Sequence, residues 1–406
     1  MRMGVCCDWF RCRPSFAVLR CIWRDGIRVV TGCAIGCMAS ANLSRGELST
    51  IAESLEHARS GEFNPHFFEC RTRRSMLGYV RPMRKHTRIR ELISDATAQR
   101  RCVHSSVRSE AAALQRRAQE GGELVRVAPG YYASREYWQD LRPPDRTLHL
   151  ARAVGINHPQ WVFTGAAAAA AYGLEHQWAV HDGTLVITDA RQNDCCRESR
   201  IRRLYMPVGY MQPVEVVSGI RVPGVTQTVL DCARLFDFRN AVPVADSALA
   251  QGVKYDELLN GCVGLNGELS KVMRVLSHAD GASENGRESL ARATIIEGGY
   301  GKPLLQMPFV DPESGRCYRA DFVWVLPNGM IIVGEFDGTG KYADPLMTDR
   351  KSIQATVHLE REREAALRRA GVRMIVRFTY DDVVRRTPLW RKLAQAGVPR
   401  SDSVRG

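Results

Sequence analysis

The sequence predicts a mixed α/β (α+β) protein: an N-terminal winged helix-turn-helix, a mixed α/β middle region and a C-terminal domain in the order αβββαβ. Three observations carry this. Two helix-period segments after residue 84 lead into an alternating strand and the Pro129-Gly130 turn. From Arg287 to Arg377, short strand-like runs flank a turn triplet and precede a long helical run. Across 406 residues, 45% hydrophobic and 25% charged content match ordinary soluble domains and give two or three of them. Disordered, collagenous and coiled-coil chains are thereby excluded.

Residues 1–83 read as a poorly ordered Cys/Arg-rich extension, because Trp, Cys and Arg crowd there without helical or strand period. Six of the 13 cysteines (Cys6, Cys7, Cys12, Cys21, Cys33, Cys37) fall in the first 37 residues. No CxxC pair accompanies them, so zinc spacing is absent. The scattered remainder fits buried thiols in a reducing cytoplasm. Val29 to Ala41 imitates a signal-peptide core, but the basic stretch before it is far longer than such signals carry. Arg20, Arg24, Arg28 and Arg45 break the most apolar region, so no spanning helix and no membrane partner is expected.

Residues 84–147 read as the winged helix-turn-helix. Arg84 to Arg100 places Ile89, Leu92 and Ile93 on one face, and Ser105 or Ser106 can cap a second helix reaching Glu120. Gly121-Gly122 ends it, and Glu123 to Ala128 alternates into the Pro129-Gly130 turn and Tyr131-Tyr132-Ala133. Arg108, Arg116 and Arg117 on the second helix and Arg126 on the wing are the candidate DNA contacts. Arginines on an amphipathic helix are otherwise a solvated surface. The charge distribution tips the reading, since the net +13 is +10 over residues 1–150 and only +3 over the rest.

Residues 148–280 form the middle region. Helices are expected at Leu148 to Val154, Thr226 to Phe236 and Ala241 to Ala250, and a strand at Thr184 to Thr188. The six alanines Ala166 to Ala171 propagate helix at no side-chain entropy cost, with Gly173 as the stop; this reads as a buried structural helix. His149, His158, His176 and His181 lack metal-ligand spacing and stay unassigned. Ser277 to Gly286 is polar and Gly-rich, a linker or a helix cap.

Residues 281–390 carry the chemistry, with 391–406 read as a tail. Glu288 to Glu297 is helical, Leu304 to Val310, Cys317 to Val325 and Met330 to Asp337 are strands, Thr348 to Ala370 is a helix and Val372 to Phe378 a last strand. With Pro327-Asn328-Gly329 as the hairpin loop, Asp321 falls opposite Glu335, and Asp337 shares the face of Glu335 by the period of two. Opposed carboxylates about 5 Å apart repel by roughly 3 kcal/mol at an effective dielectric near 20. A hard divalent cation, Mg²⁺ or Mn²⁺, would offset that repulsion and also bind phosphate. Salt bridges to Arg319 or Arg377 are the structural alternative.

Asp321, then Glu335-Phe336-Asp337-Gly338 and Lys341-Tyr342, on that element order, resembles the PD-(D/E)XK nuclease superfamily with its restriction-endonuclease-like fold, close to the very-short-patch-repair-like endonucleases. The resemblance implies Asp321 and Glu335 as metal ligands and a catalytic group that includes Glu288, Asp337 and Lys341. Asp337 stands where the superfamily has its Lys, and Lys341 would supply the charge instead. Gln306 and Arg363 are further candidates for phosphate or substrate contact. Upstream, Gly122 to Ala133 is similar to the wing of AbiEi-type antitoxins of type IV toxin-antitoxin systems, and Ala166 to Leu174 to their next segment. Two readings follow: a Mg²⁺-dependent DNA endonuclease, or a non-catalytic antitoxin-like repressor with a cognate toxin.

Overall fold

The computed structural model describes residues 8–12, 16–23, 26–33, 37–40, 85–119, 122–190, 200–206, 213–265, 268–337 and 350–401. The chain divides into two compact units, residues 1–83 and 84–406. In the first, β1 (Asp8–Cys12), β2 (Phe16–Trp23), β3 (Gly26–Cys33) and β4 (Cys37–Ser40) form an antiparallel meander. These strands lie within the stretch read from the sequence as a poorly ordered extension. β2 and β3 are rich in the β-branched and aromatic residues that favour strands, and they pair from Phe16 opposite Cys33 to Trp23 opposite Gly26. Residues 41–83, also expected to be poorly ordered, lie outside the described residues.

In the second unit, α1 (Lys85–Ala98) and α2 (Arg108–Gln119) precede the hairpin of β5 (Leu124–Ala128) and β6 (Tyr131–Ser134). Ser105 starts α2: its hydroxyl accepts from the Val107 N–H and donates to Glu110. Gly130, at φ +79°, makes the predicted turn, a conformation that favours glycine. Val103 adds a third, one-residue rung by exchanging both backbone hydrogen bonds with Tyr132. Ile89, Leu114, Leu124 and Tyr132 close the small core.

The middle follows through α3 (Arg135–Asp140), α4 (Pro143–Asn157), β7 (Phe163–Thr164) and α5 (Ala166–Ala171). Next come β8 (Leu185–Asp189), β9 (Ile201–Tyr205), β10 (Val214–Val217) and β11 (Ile220–Pro223). Then α6 (Val225–Leu235), α7 (Phe238–Ala250), α8 (Tyr255–Gly261) and α9 (Leu269–Leu276) complete it. The alanine helix is a buried one: all of its residues except Ala170 are fully covered. Ser277 to Gly286 is tied down: the Asp280 N–H donates to Asp246, and Asn285 caps the next helix.

That helix, α10 (Gly286–Glu297), opens the last part, which continues with β12 (Leu304–Val310), β13 (Cys317–Val325), β14 (Ile331–Asp337), α11 (Arg350–Arg369) and β15 (Val372–Thr379). The sheet order is β12-β13-β14-β15, antiparallel except that β15 runs parallel to β14. A parallel neighbour needs a long crossover, and α11 lies in it. Leu290, Ala291 and Ile295 of α10 pack with Phe322, Trp324 and Ile332, while Leu367 of α11 packs with Ala320, Val323 and Val333. The sheet is therefore covered by helices on both faces. α12 (Tyr380–Arg385) and α13 (Thr387–Gln395) follow, and of the stretch expected to be a tail, Leu393, Ala396 and Val398 are buried in this core.

Candidate functional site

The site starts from the turn. Pro327-Asn328-Gly329 is the loop, with the Gly329 N–H bonded to the Leu326 carbonyl and the Leu326 N–H to the Met330 carbonyl. Gly329 adopts φ +79°, which the third residue of such a loop requires. Pairing then runs from Val325 opposite Ile331 to Phe322 opposite Gly334, and the same register continued by one step sets Asp321 opposite Glu335. The Phe336 N–H donates to Asp321 Oδ2 at 2.9 Å and locks that carboxylate across the strand pair.

A third carboxylate joins from the α10 side. Glu288 is 7% exposed and accepts from the Glu284 N–H, the Asn285 amide and Gln306 Nε2. Gln306 sits in β12 between Leu305, which pairs with Phe322, and Met307, which pairs with Ala320, so it falls opposite Asp321. Its side chain hydrogen-bonds to Asp321 as well as to Glu288. Its φ of +50° is strained for a side-chain-bearing residue inside a strand, and such strain concentrates at functional sites. Burial pushes the carboxyls of Asp321, Glu288 and Glu335 above their usual range.

Glu335 is held from the opposite direction. Both of its carboxylate oxygens lie 2.7 Å from Arg363 Nη2 on α11, and the same nitrogen is 2.8 Å from the Arg319 carbonyl oxygen. Burial nonetheless outweighs this guanidinium and pushes the Glu335 carboxyl up to about 7. The alternative weighed from the sequence, salt bridges to Arg319 or Arg377, does not form at these acids among the described residues. Arg319 pairs with Glu284, and Arg377 with Glu360 and Glu364.

Asp337 does not converge with the other acids. It is exposed at the end of β14, in register with Thr379, two residues or roughly 6.6 Å along the strand from Glu335. Lys341, with Gly338 and Tyr342, lies outside the described residues. Of the front-half arginines, Arg108, Arg116 and Arg126 are exposed, and Arg117 is within 3.5 Å of Glu123.

The donor set of Asp321 and Glu335 is chemically suited to a hard divalent cation, which takes one or two carboxylates and completes its shell with water or substrate oxygen. Arg363 would have to leave Glu335 for an ion to reach it. Among the described residues, no group of three or more His, Cys, Asp or Glu side chains is placed to hold a metal ion. No described helix is long and apolar enough to cross a membrane.

No family model matches the chain, and no solved structure matches it. Two uncharacterized proteins from two strains of Mycobacterium tuberculosis are similar to it. Each is 28% identical over 229 residues, which is 56% of this chain and 78% of the relative.

Proposed function

We propose that the chain is a metal-dependent DNA endonuclease, with residues 84–147 as a winged-helix DNA-binding module and residues 281–390 as a restriction-endonuclease-like nuclease domain. The observation that carries the reading is the pair of desolvated carboxylates, Asp321 and Glu335, facing each other across β13 and β14 beside Glu288 and Gln306. Asp321 and Glu335 would hold Mg²⁺ or Mn²⁺, which when bound acidifies a water and offsets charge on the scissile phosphate. The protein's own groups do the positioning. The Phe336 N–H and Gln306 fix the Asp321 carboxylate, Gln306 ties it to Glu288, and Arg363, now on Glu335, would turn to a phosphate seated there. Lys341 is assigned the charge that the superfamily places at the position of Asp337. The test is plasmid DNA incubated with the full chain in Mg²⁺ or in EDTA, and no cleavage in either sinks the reading.

Glu335 binds a cation as its carboxylate, and burial keeps much of it protonated below about pH 7. Its charged fraction rises with pH, so Mn²⁺ affinity is expected to increase about tenfold between pH 6 and pH 8. Titration calorimetry at both values measures this. A flat profile removes Glu335 from the ligand set.

Duplex binding should rest on Arg108, Arg116, Arg117 and Arg126. Four phosphate contacts imply an affinity loss of about 10²-fold between 50 and 200 mM salt. A fluorescence-anisotropy titration in EDTA reads it, and a salt-independent affinity counts against the module.

The second reading is a non-catalytic, antitoxin-like repressor acting with a cognate toxin in the cytoplasm. One observation favours it: Arg363 already occupies both oxygens of Glu335. Tight promoter binding without cleavage would select it.

A further inference from the structure

A cleft of about 250 Å³ opens beside the β5 strand, away from the carboxylate site, and Arg126, Arg146, Arg200, Thr147, His181 and Asp182 are among the residues lining it. Arg146 is fixed, donating to the Trp138 and Gln139 carbonyl oxygens. The guanidinium groups of Arg126 and Arg200 have no hydrogen-bond or ion-pair partner among the described residues. Asp182 is the one acid of the lining, and its carboxylate accepts from the Thr184 N–H. Three guanidinium groups against one carboxylate leave the cleft positive. Among the described residues, no carboxylate pairs with Arg126 or Arg200.

The floor adds no charge. His176 Nδ1 lies 2.6 Å from the Leu174 carbonyl oxygen, which only accepts, so Nδ1 carries the proton and His176 Nε2 is bare. His181 Nε2, 2.6 Å from it, must then donate, which leaves His181 Nδ1 as the acceptor for the Thr147 hydroxyl at 2.8 Å. Burial lowers the proton affinity of both rings, in keeping with this neutral chain. The free charge of the cleft therefore lies on Arg126 and Arg200, on forks that match phosphate oxygens.

We propose that this cleft is a binding site for a phosphate ester, with Arg126 and Arg200 closing on its oxygens against the wall formed by Arg146. Its volume lies just below that of drug-sized pockets, which admits one phosphate with its sugar. A free mononucleotide and a backbone phosphate of nucleic acid share this chemistry. The inference rests on the DNA-binding reading for Arg126 alone, and neither a divalent ion nor cleavage enters it; absence of phosphate and mononucleotide binding with duplex binding kept would overturn the cleft and leave that reading standing.

The test is calorimetric titration of the full chain, in EDTA, with inorganic phosphate, with thymidine 5′-monophosphate and with a short DNA duplex. Saturable binding of phosphate or the mononucleotide is expected, weakened about ten- to hundredfold in the Arg126→Gln/Arg200→Gln double variant, the loss of one or two charge-assisted hydrogen bonds. The His181 imidazole resonances should shift on saturation of the wild type and stay unmoved in the double variant, whose melting temperature reports that it is folded. Displacement of the mononucleotide by duplex identifies the backbone as the source, and saturation without displacement identifies a free ester. No saturable binding of phosphate or the mononucleotide at about 10 mM, a weak affinity on any scale, or equal affinity in the double variant, overturns the proposal.

Discussion

Replacing Asp321 or Glu335 by alanine is expected to lower magnesium-dependent DNA cleavage by about 10³-fold, the scale on which removing one preorganised charge-stabilising group acts. Duplex affinity in EDTA should change less than about twofold, because the arginines assigned to binding lie in residues 84–147. The alanine variants alone leave an ambiguity at one of the two positions. Asp321 also accepts the Phe336 N–H, so Asp321→Ala orphans a half-buried donor and disturbs the strand pair. Asp321→Asn keeps an oxygen for that bond and loses only the negative charge. Glu335→Gln likewise keeps volume and one oxygen facing Arg363. Single-turnover cleavage with all four variants, beside thermal melting, separates the two effects. If the Asn and Gln variants cut at the wild-type rate, the carboxylates hold no catalytic ion. If the wild type itself binds its duplex and never cuts, the repressor reading stands.

The parts of this site that are local in sequence are legible from it, and the parts fixed by packing are not. Pro327-Asn328-Gly329 sets the register of β13 on β14 by turn geometry alone, and with it the opposition of Asp321 and Glu335. The helical period marks α10, and Glu288 on it is singled out by the resemblance, which implies an acid on the leading helix. The engagement of Glu335 by Arg363 depends instead on how α11 is rotated against the sheet. Leu367 packing under Val323 and Val333, and Arg377 pairing with Glu360 and Glu364 of that helix, accompany this setting from far along the chain. Nothing in the sequence around Gln306 announces its positive φ, since the residue reads as an ordinary strand position. The strands at residues 8–40 escape detection for a different reason. Interspersed Arg and Cys blur the period of two, although β2 and β3 hold the right residue types.

The largest stability effect is expected at Asp246 and Arg292, where packing makes a contact that the sequence does not mark. Arg292 of α10 has no exposed side-chain surface and Asp246 of α7 has 2%, and Arg292 Nη2 lies 2.7 and 2.5 Å from the two carboxylate oxygens. Arg292 Nη1 also donates to the His278 carbonyl oxygen, and the Asp280 N–H donates to Asp246 Oδ1 at 2.8 Å. The pair thus joins α7 and α10 and pins the segment between α9 and α10. Burial pushes the Asp246 carboxyl up even though Arg292 pulls it down, so desolvation outweighs the attraction. Asp246→Leu leaves a buried guanidinium without its counter-charge and should cost about 3 to 5 kcal/mol. Arg292→Met should cost a similar amount, through the stranded carboxylate. Together, Asp246→Leu/Arg292→Met removes both charges and restores volume. Its remaining cost is the unpaired Asp280 N–H and His278 carbonyl, about 1 to 3 kcal/mol each. The double variant is therefore expected to be more stable than the sum of its singles predicts, by about 2 kcal/mol or more. Urea unfolding of the four proteins measures that coupling. Singles within about 1 kcal/mol of wild type would mean that water reaches the pair, and that α7 and α10 are held by their apolar contacts alone.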